Sequence, residues 1–268
     1  MGLIRTAATE ALKYPESRPT TGKKSVKSDK IYRSAKTNLV DFVFDEAVVG
    51  VFPDMIRRSV PAYETVVPMS ALLAGRQASP GTNVYDLGCS RGATTLALKR
   101  YCPPDCQVIG VDNSQPMIDA AREAETSQEE TLANLPIEWR CEDIQTTQLA
   151  HAGAVTMTYT LQFIPPPQRS ALLERIYQSL EPNGALVYAE KIVLEPTADQ
   201  AYFDAAHLDF KRANGYSELE VAQKRTALEK VMQPDTHTTH LARLADVGFA
   251  NIRTWFQCLN WAAFIAIK

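Results

Sequence analysis

The run Val84-Tyr85-Asp86-Leu87-Gly88-Cys89-Ser90-Arg91-Gly92, followed by Val108-Ile109-Gly110-Val111-Asp112-Asn113, decides how this chain is read. A short apolar segment feeds a glycine-bearing turn and then a helical stretch. A second apolar segment ends in an acid roughly twenty positions on, the layout of a nucleotide-binding βαβ unit. Gly88 and Gly92 let the backbone take unusual dihedrals and approach a ligand, and the Asp112 carboxylate can accept from both hydroxyls of a ribose. The turn lacks the G-x-G-x-x-G of dinucleotide sites because Ser90 stands at the middle glycine, so a pyrophosphate ligand is disfavoured. No G-x-x-x-x-G-K-[ST] occurs, which excludes a P-loop.

Working outward, the pattern alternates as α/β units require: strand 84–87, helix 92–101, strand 108–112, helix 115–125, strands 137–141 and 154–159, helix 167–180 and strand 184–193. Ser114 before Gln115-Pro116 reads as a helix N-cap. Glu181-Pro182-Asn183-Gly184 is expected to end one helix and open the next strand. Upstream, the apolar-rich stretch 41–74 is broken by Pro53 and Pro61 and predicts two short helices capping the ligand mouth. Downstream, 197–232 interrupts the alternation with two helical patterns, and helix 236–247 and strands 249–257 and 260–267 close the chain. The fold class expected is a Rossmann-like, mostly parallel seven-stranded sheet with helices on both faces, an N-terminal helical cap and a helical insertion. Insertions near the carboxyl ends of strands cover the ligand crevice, and this one offers Lys211, Arg212, Lys224 and Arg225 to an anionic substrate. On an amphipathic helix such cations are as a rule the solvated face.

With 268 residues, 45% of them apolar, the chain can bury one α/β core with embellishments but not two full enzymatic domains. No apolar run approaches the roughly 20 residues of a membrane span and no secretory h-region opens the chain, so no membrane contact and a cytoplasmic location are expected. The five cysteines are scattered. The close pair Cys102 and Cys106 lacks two further ligands for zinc, so no metal is expected. Residues 1–36 hold nine Lys or Arg against three acids, leaving nineteen bases and twenty-eight acids in the rest. Residues 1–40 therefore read as a basic, loosely attached extension ahead of an α/β domain over 41–268. A basic arm can neutralise RNA phosphates, but no aromatic residue is placed for base stacking, and a solvated tail is the preferred reading.

The D-L-G-C-S-x-G turn resembles motif I of class I S-adenosylmethionine-dependent enzymes. Taken together, several blocks closely resemble the carboxy-S-adenosyl-L-methionine synthases over residues 41–268. They are Phe52-Pro53-Asp54-Met55-Ile56-Arg57-Arg58-Ser59-Val60-Pro61-x-Tyr63, Tyr85 to Ser90, Thr160-Leu161-Gln162-Phe163, Asp209-Phe210-Lys211-Arg212-Ala213-Asn214-Gly215-Tyr216-Ser217-Glu218-Leu219-Glu220 and Trp255-Phe256-Gln257-Cys258. The resemblance implies conversion of S-adenosylmethionine and prephenate to carboxy-S-adenosylmethionine and phenylpyruvate. It also implies a homodimer and a product consumed by a partner enzyme that builds 5-oxyacetyluridine at the tRNA wobble position. Carried over position by position, cofactor contacts fall on Tyr63, Gly88, Cys89, Ser90, Asp112, Asn113, Asp143 and Ile144. A further contact falls on Thr158, where the family has asparagine; threonine keeps a hydroxyl but loses two amide donors. Arg225 matches the arginine that grips the new carboxylate, a task suited to a permanently charged planar fork. The resemblance further implies that carbon dioxide released from prephenate is captured at the activated methyl carbon, with expelled hydroxide as base, so no catalytic dyad is needed. His207 is not assigned as a base and is taken for a helix-surface histidine. Two alternatives stay open: a conventional methyltransferase acting on a small acid or RNA, and a non-enzymatic module that binds the cofactor and scaffolds a tRNA-modifying assembly.

Overall fold

The computed structural model describes residues 28–31, 46–127, 135, 137–229 and 231–268. Its centre is a sheet in the order β3-β2-β1-β4-β5-β8-β7, built from β1 (Asn83–Leu87), β2 (Gln107–Asp112), β3 (Ile137–Cys141), β4 (Ala152–Thr158), β5 (Leu180–Val193), β7 (Asn251–Cys258) and β8 (Trp261–Ile267). The first five strands pair in parallel and β8 pairs antiparallel with β5 and β7, giving the mostly parallel sheet expected. A two-residue strand, β6 (Asp235–Thr236), joins β5 outside this path, too short for any periodicity to announce it.

The strands read as continuous apolar runs because both faces are covered. Successive residues of β1 go to opposite sides. Val84 packs with Ala71 and Ala74 of α2 (Tyr63–Gln77) and Leu98 of α3 (Ala93–Tyr101), while Tyr85 and Leu87 join Leu172 and Ile176 of α5 (Pro166–Ser179) and Leu244 of α8 (His237–Val247). Each such side chain contributes about 1.5–3 kcal/mol on burial. The α4 helix (Gln115–Thr126) starts as read, with the Ser114 side chain accepting from the Met117 amide and Pro116 in the first turn.

Three details differ from the sequence reading. First, α1 (Glu46–Ser59) runs straight through Pro53 and ends only before Pro61. Proline at this position cannot donate to the Val49 carbonyl one turn back. Arg91 of the glycine turn donates to that carbonyl instead, at 3.1 Å, and so ties the helical cap to the turn after β1. Second, Glu181 to Gly184 is an irregularity inside β5 rather than a break before it, with Asn183 at φ 66° and a register shift against β4. Third, part of the expected loose extension is docked. Asp29 is buried, accepts from the Tyr216 hydroxyl at 2.7 Å and donates its amide to Asp54, because Arg58, stacked 3.8 Å above Tyr216, brings a cation to these two acids. The remainder of the extension lies outside the described residues.

Candidate active site

At the carboxyl ends of β1, β2, β4 and β5 lies a crevice of about 660 Å³, roofed by α1 and by α6 (Thr197–Ala213). Parallel strands expose their carboxyl ends at one edge, where the order reverses beside β1, which is where an open α/β sheet accepts ligands. Tyr63, Gly88, Cys89, Ser90, Asp112, Asn113, Asp143, Ile144 and Thr158 all line this one cavity. Arg225 falls on α7 (Glu218–Glu229), whose C-terminal connection reaches the wall through Met232 and Pro234; its side chain lies outside the described residues.

The turn after β1 is held from below. The amides of Gly88 and Cys89 both donate to the Val111 carbonyl, at 2.8 and 3.0 Å, which locks the loop to the end of β2. Gly88 sits at φ 75° with Thr160 occupying the space a Cβ would need, 2.4 Å away. Gly92 does not line the cavity; its missing Cβ leaves room for the Trp139 ring. Both glycines are thus required by protein packing as well as by dihedral freedom, and Gly92 gives a ligand no direct approach.

Asp112 accepts one backbone hydrogen bond on each oxygen, from Ser90 and Ser114, each at 2.9 Å. Burial pushes its carboxyl up, and those two amides oppose the shift. A carboxylate has about four lone-pair sites, so capacity for two ribose hydroxyls remains. Asp86, which the sequence reading used only as part of the motif, also faces the cavity. Desolvation pushes it up to about 6, although Thr95 and Thr156 donate to it at 2.6 and 2.8 Å. Thr158 pairs with Thr94 across 3.1 Å. Asp143 accepts from the Gln145 amide beside Ile144, leaving an acid and an apolar face together after β3.

On the other side of the crevice, His207 corrects an expectation. It is buried, lines the cavity, donates Nε2–H to the Ser59 carbonyl at 2.7 Å and meets Trp261 edge-on. Only the packing of α6 against α1 and β8 removes this residue from the surface. Burial and the charges of Lys211 and Lys191 hold its imidazole down to about 4, so it is neutral near pH 7. Lys211 and Lys191 line the same wall. Arg212 instead points outward into ion pairs with Asp209 and Glu218. Beneath this wall, Glu190 is fully buried and accepts from the amides of Thr160, Leu161 and Gln162, and desolvation pushes it up to about 8. Arg169, also buried, donates to the carbonyls of Gln162 and Gln233 and pairs with Asp235, fixing the segment that carries Pro234. Burial pushes Asp235 up, but hydrogen bonds from Arg243 and Arg169 outweigh it and leave the carboxyl below its usual range. Neither Glu190 nor Arg169 belongs to a recognisable motif. The one available signal was a charged residue inside an apolar strand or an otherwise packed helix face.

A cavity of about 660 Å³ lined by the Asp112 carboxylate, the acid and apolar pair Asp143 and Ile144, and a glycine turn fits S-adenosylmethionine. No group of three or more His, Cys, Asp or Glu among the described residues could hold a metal ion. A methyltransferase-domain family model matches residues 84–184. A carboxy-S-adenosyl-L-methionine synthase of Trichlorobacter lovleyi is 48% identical over 243 residues, covering 90% of this chain and 99% of that protein. The synthase of Pasteurella multocida is 47% identical over 241 residues, with 90% and 99% covered. Among solved structures, human N-acetylserotonin methyltransferase in complex with S-adenosylmethionine matches with a TM-score of 0.54 at 20% identity, covering 83% of this chain and 55% of that one. That likeness bears on the fold alone.

Proposed function

The chain belongs to the carboxy-S-adenosyl-L-methionine synthase family, and from that premise we propose that it converts S-adenosylmethionine and prephenate to carboxy-S-adenosylmethionine and phenylpyruvate. The observation that carries the reading is the polarity of the crevice: Asp86, Asp112 and Asp143 at one end, Lys191 and Lys211, with Asp204 beside Lys191, at the other. An acidic end suits a sulfonium-bearing nucleoside, and a cationic end suits a carboxylate co-substrate. S-adenosylmethionine, when bound, supplies a methyl carbon acidified by its sulfonium.

The chain's own residues bind and orient. Asp112 accepts the ribose hydroxyls, Asp143 and Ile144 take the adenine, and Tyr63, Cys89, Ser90, Asn113 and Thr158 complete the envelope around the Gly88 turn. Arg225 offers its guanidinium to the carboxylate acquired by the product, the interaction a methyl-transferring enzyme would not need. The cap and insertion exclude water, which preserves released carbon dioxide close to its acceptor. A homodimer, a cytoplasmic location and delivery of the product to an enzyme modifying the tRNA wobble uridine are parts of this reading that rest on the resemblance. No helix among the described residues is long and apolar enough to cross a membrane.

Mass spectrometry tests it. The purified chain should retain, or form from S-adenosylmethionine and prephenate, a species heavier than S-adenosylmethionine by a carboxyl group in place of hydrogen. Arg225→Ala should lose it. Demethylated product with untouched prephenate would instead favour a conventional methyltransferase.

A further inference from the structure

Lys191 and Lys211 come from distant parts of the chain, yet both charges act on His207 and all three side chains line one wall of the crevice. Lys211 follows His207 by one helical turn on α6, so the two share a helix face. Lys191 approaches from β5, with the Asp204 carboxylate 3.9 Å from its ammonium. Asp204 is itself held by the Asn260 side-chain amide at 2.9 Å. With His207 neutral, Lys191 and Lys211 bring positive charge to this wall, and Asp204 stands beside Lys191. The opposite end of the crevice, at β2, lies three strand spacings away, or about 14 Å at the usual interstrand distance. A nucleoside seated on Asp112 and Asp143 therefore leaves the β5 and α6 wall for something else.

We propose that Lys191 and Lys211, braced by His207 and Asp204, form the subsite that binds a carboxylate of the second substrate and selects anionic over neutral co-substrates. This deepens, and rests on, the reading of the site given above. His207 acts as a positioning residue: its bond to the Ser59 carbonyl ties α6 to α1 and fixes where Lys211 stands. Because the ring carries no charge, it adds nothing to the positive field of the lysines. Arg212, next in sequence but paired with Asp209 and Glu218 on the surface, takes no part.

The test compares the full-length chain with Lys191→Met, Lys211→Met, the double variant and Lys211→Arg; methionine keeps the apolar stem that packs along the wall. S-adenosylmethionine affinity, read by titration calorimetry, should stay within about twofold. The KM for prephenate should rise about tenfold in each methionine variant, as expected when a charge-assisted hydrogen bond is lost. Lys211→Arg should stay within about threefold of wild type. Raising ionic strength should increase the wild-type KM more than that of the double variant. A prephenate KM unchanged in the double variant, or a matching loss of S-adenosylmethionine affinity, would overturn the subsite. If the wild type binds S-adenosylmethionine but consumes no prephenate, the function reading fails separately. Calorimetric binding of unreacted prephenate to the S-adenosylmethionine-loaded chain then decides the subsite: lysine-dependent binding supports it, and binding insensitive to both lysines overturns it.

Discussion

The β1–β2 end of the crevice comes mostly from one short run of chain, Asp86 to Asn113, with Asp143 and Ile144 from the segment after β3, whereas the β5–α6 end draws on Ser59, Lys191, His207, Lys211 and Trp261. The first end is fixed by backbone geometry. Two amides on the Val111 carbonyl and two more on Asp112 position it with little help from remote side chains. The second end stands on buried polar fastenings: Glu190 under the Thr160–Gln162 turn, and Arg169 clasping Gln162, Gln233 and Asp235. Such groups are costly when half-satisfied. Substrate handling at this end should therefore be sensitive to changes far from the ligand, and cofactor binding should not.

The sharpest test is Arg169→Met, which leaves Asp235 with one arginine and takes a donor from three carbonyls, those of Gln162, Ile164 and Gln233. Denaturant unfolding should show a loss of about 3–5 kcal/mol, as for a broken buried pair. In the surviving folded fraction the prephenate KM should rise while S-adenosylmethionine affinity holds within about threefold; a parallel fall in both would erase the distinction between the ends. Asp112→Asn probes the other end. It should weaken S-adenosylmethionine binding by about 1.5–3 kcal/mol, the worth of a hydrogen bond to a charged group, and cost about 1 kcal/mol of stability, since asparagine keeps an acceptor for only one of the Ser90 and Ser114 amides. A large drop in melting temperature with intact affinity would mean that Asp112 is a loop fastener first.

Glu190→Gln separates fastening from binding through pH. It should cost about 1–3 kcal/mol, because one carboxyl oxygen serves Thr160 and Leu161 and the other serves Gln162, and glutamine keeps only one acceptor oxygen, so at least one buried amide is left facing an NH2. The folded carboxyl titrates at about 8, above the usual carboxylate range, so its contribution is complete in acid and fades as pH rises through about 8. Melting temperatures of wild type should therefore fall, relative to the variant, between about pH 4.5 and 8. A constant gap across that window would show that Glu190 does not titrate there.

Much of the cofactor end was legible because its chemistry is written locally. A parallel strand, a glycine turn and an acid at the next strand end follow from short-range pattern, and Gly88, Cys89, Ser90, Asp112 and Asn113 line the cavity, whereas Gly92 packs against Trp139 instead. Resemblance in the insertion added the reaction class, which motif I alone leaves open. His207 was misplaced on a surface because helical spacing cannot say what a helix packs against. Lys211 and Arg212, adjacent and alike in sequence, were indistinguishable until α6 docked with one facing the crevice and the other facing Asp209 and Glu218.

The sequence by itself determined the strand and helix order, the glycine turn and the acid at the end of the second strand, since these depend on residues within a few positions of each other and on one adjoining strand. Tertiary structure alone decided which cations face the crevice, that Arg91 takes over the carbonyl Pro53 leaves without a donor, and that Glu190 and Arg169 hold up the far wall. Those outcomes follow from desolvation and charge pairing between segments far apart in sequence, and burial of that kind exists only once the chain has closed on itself.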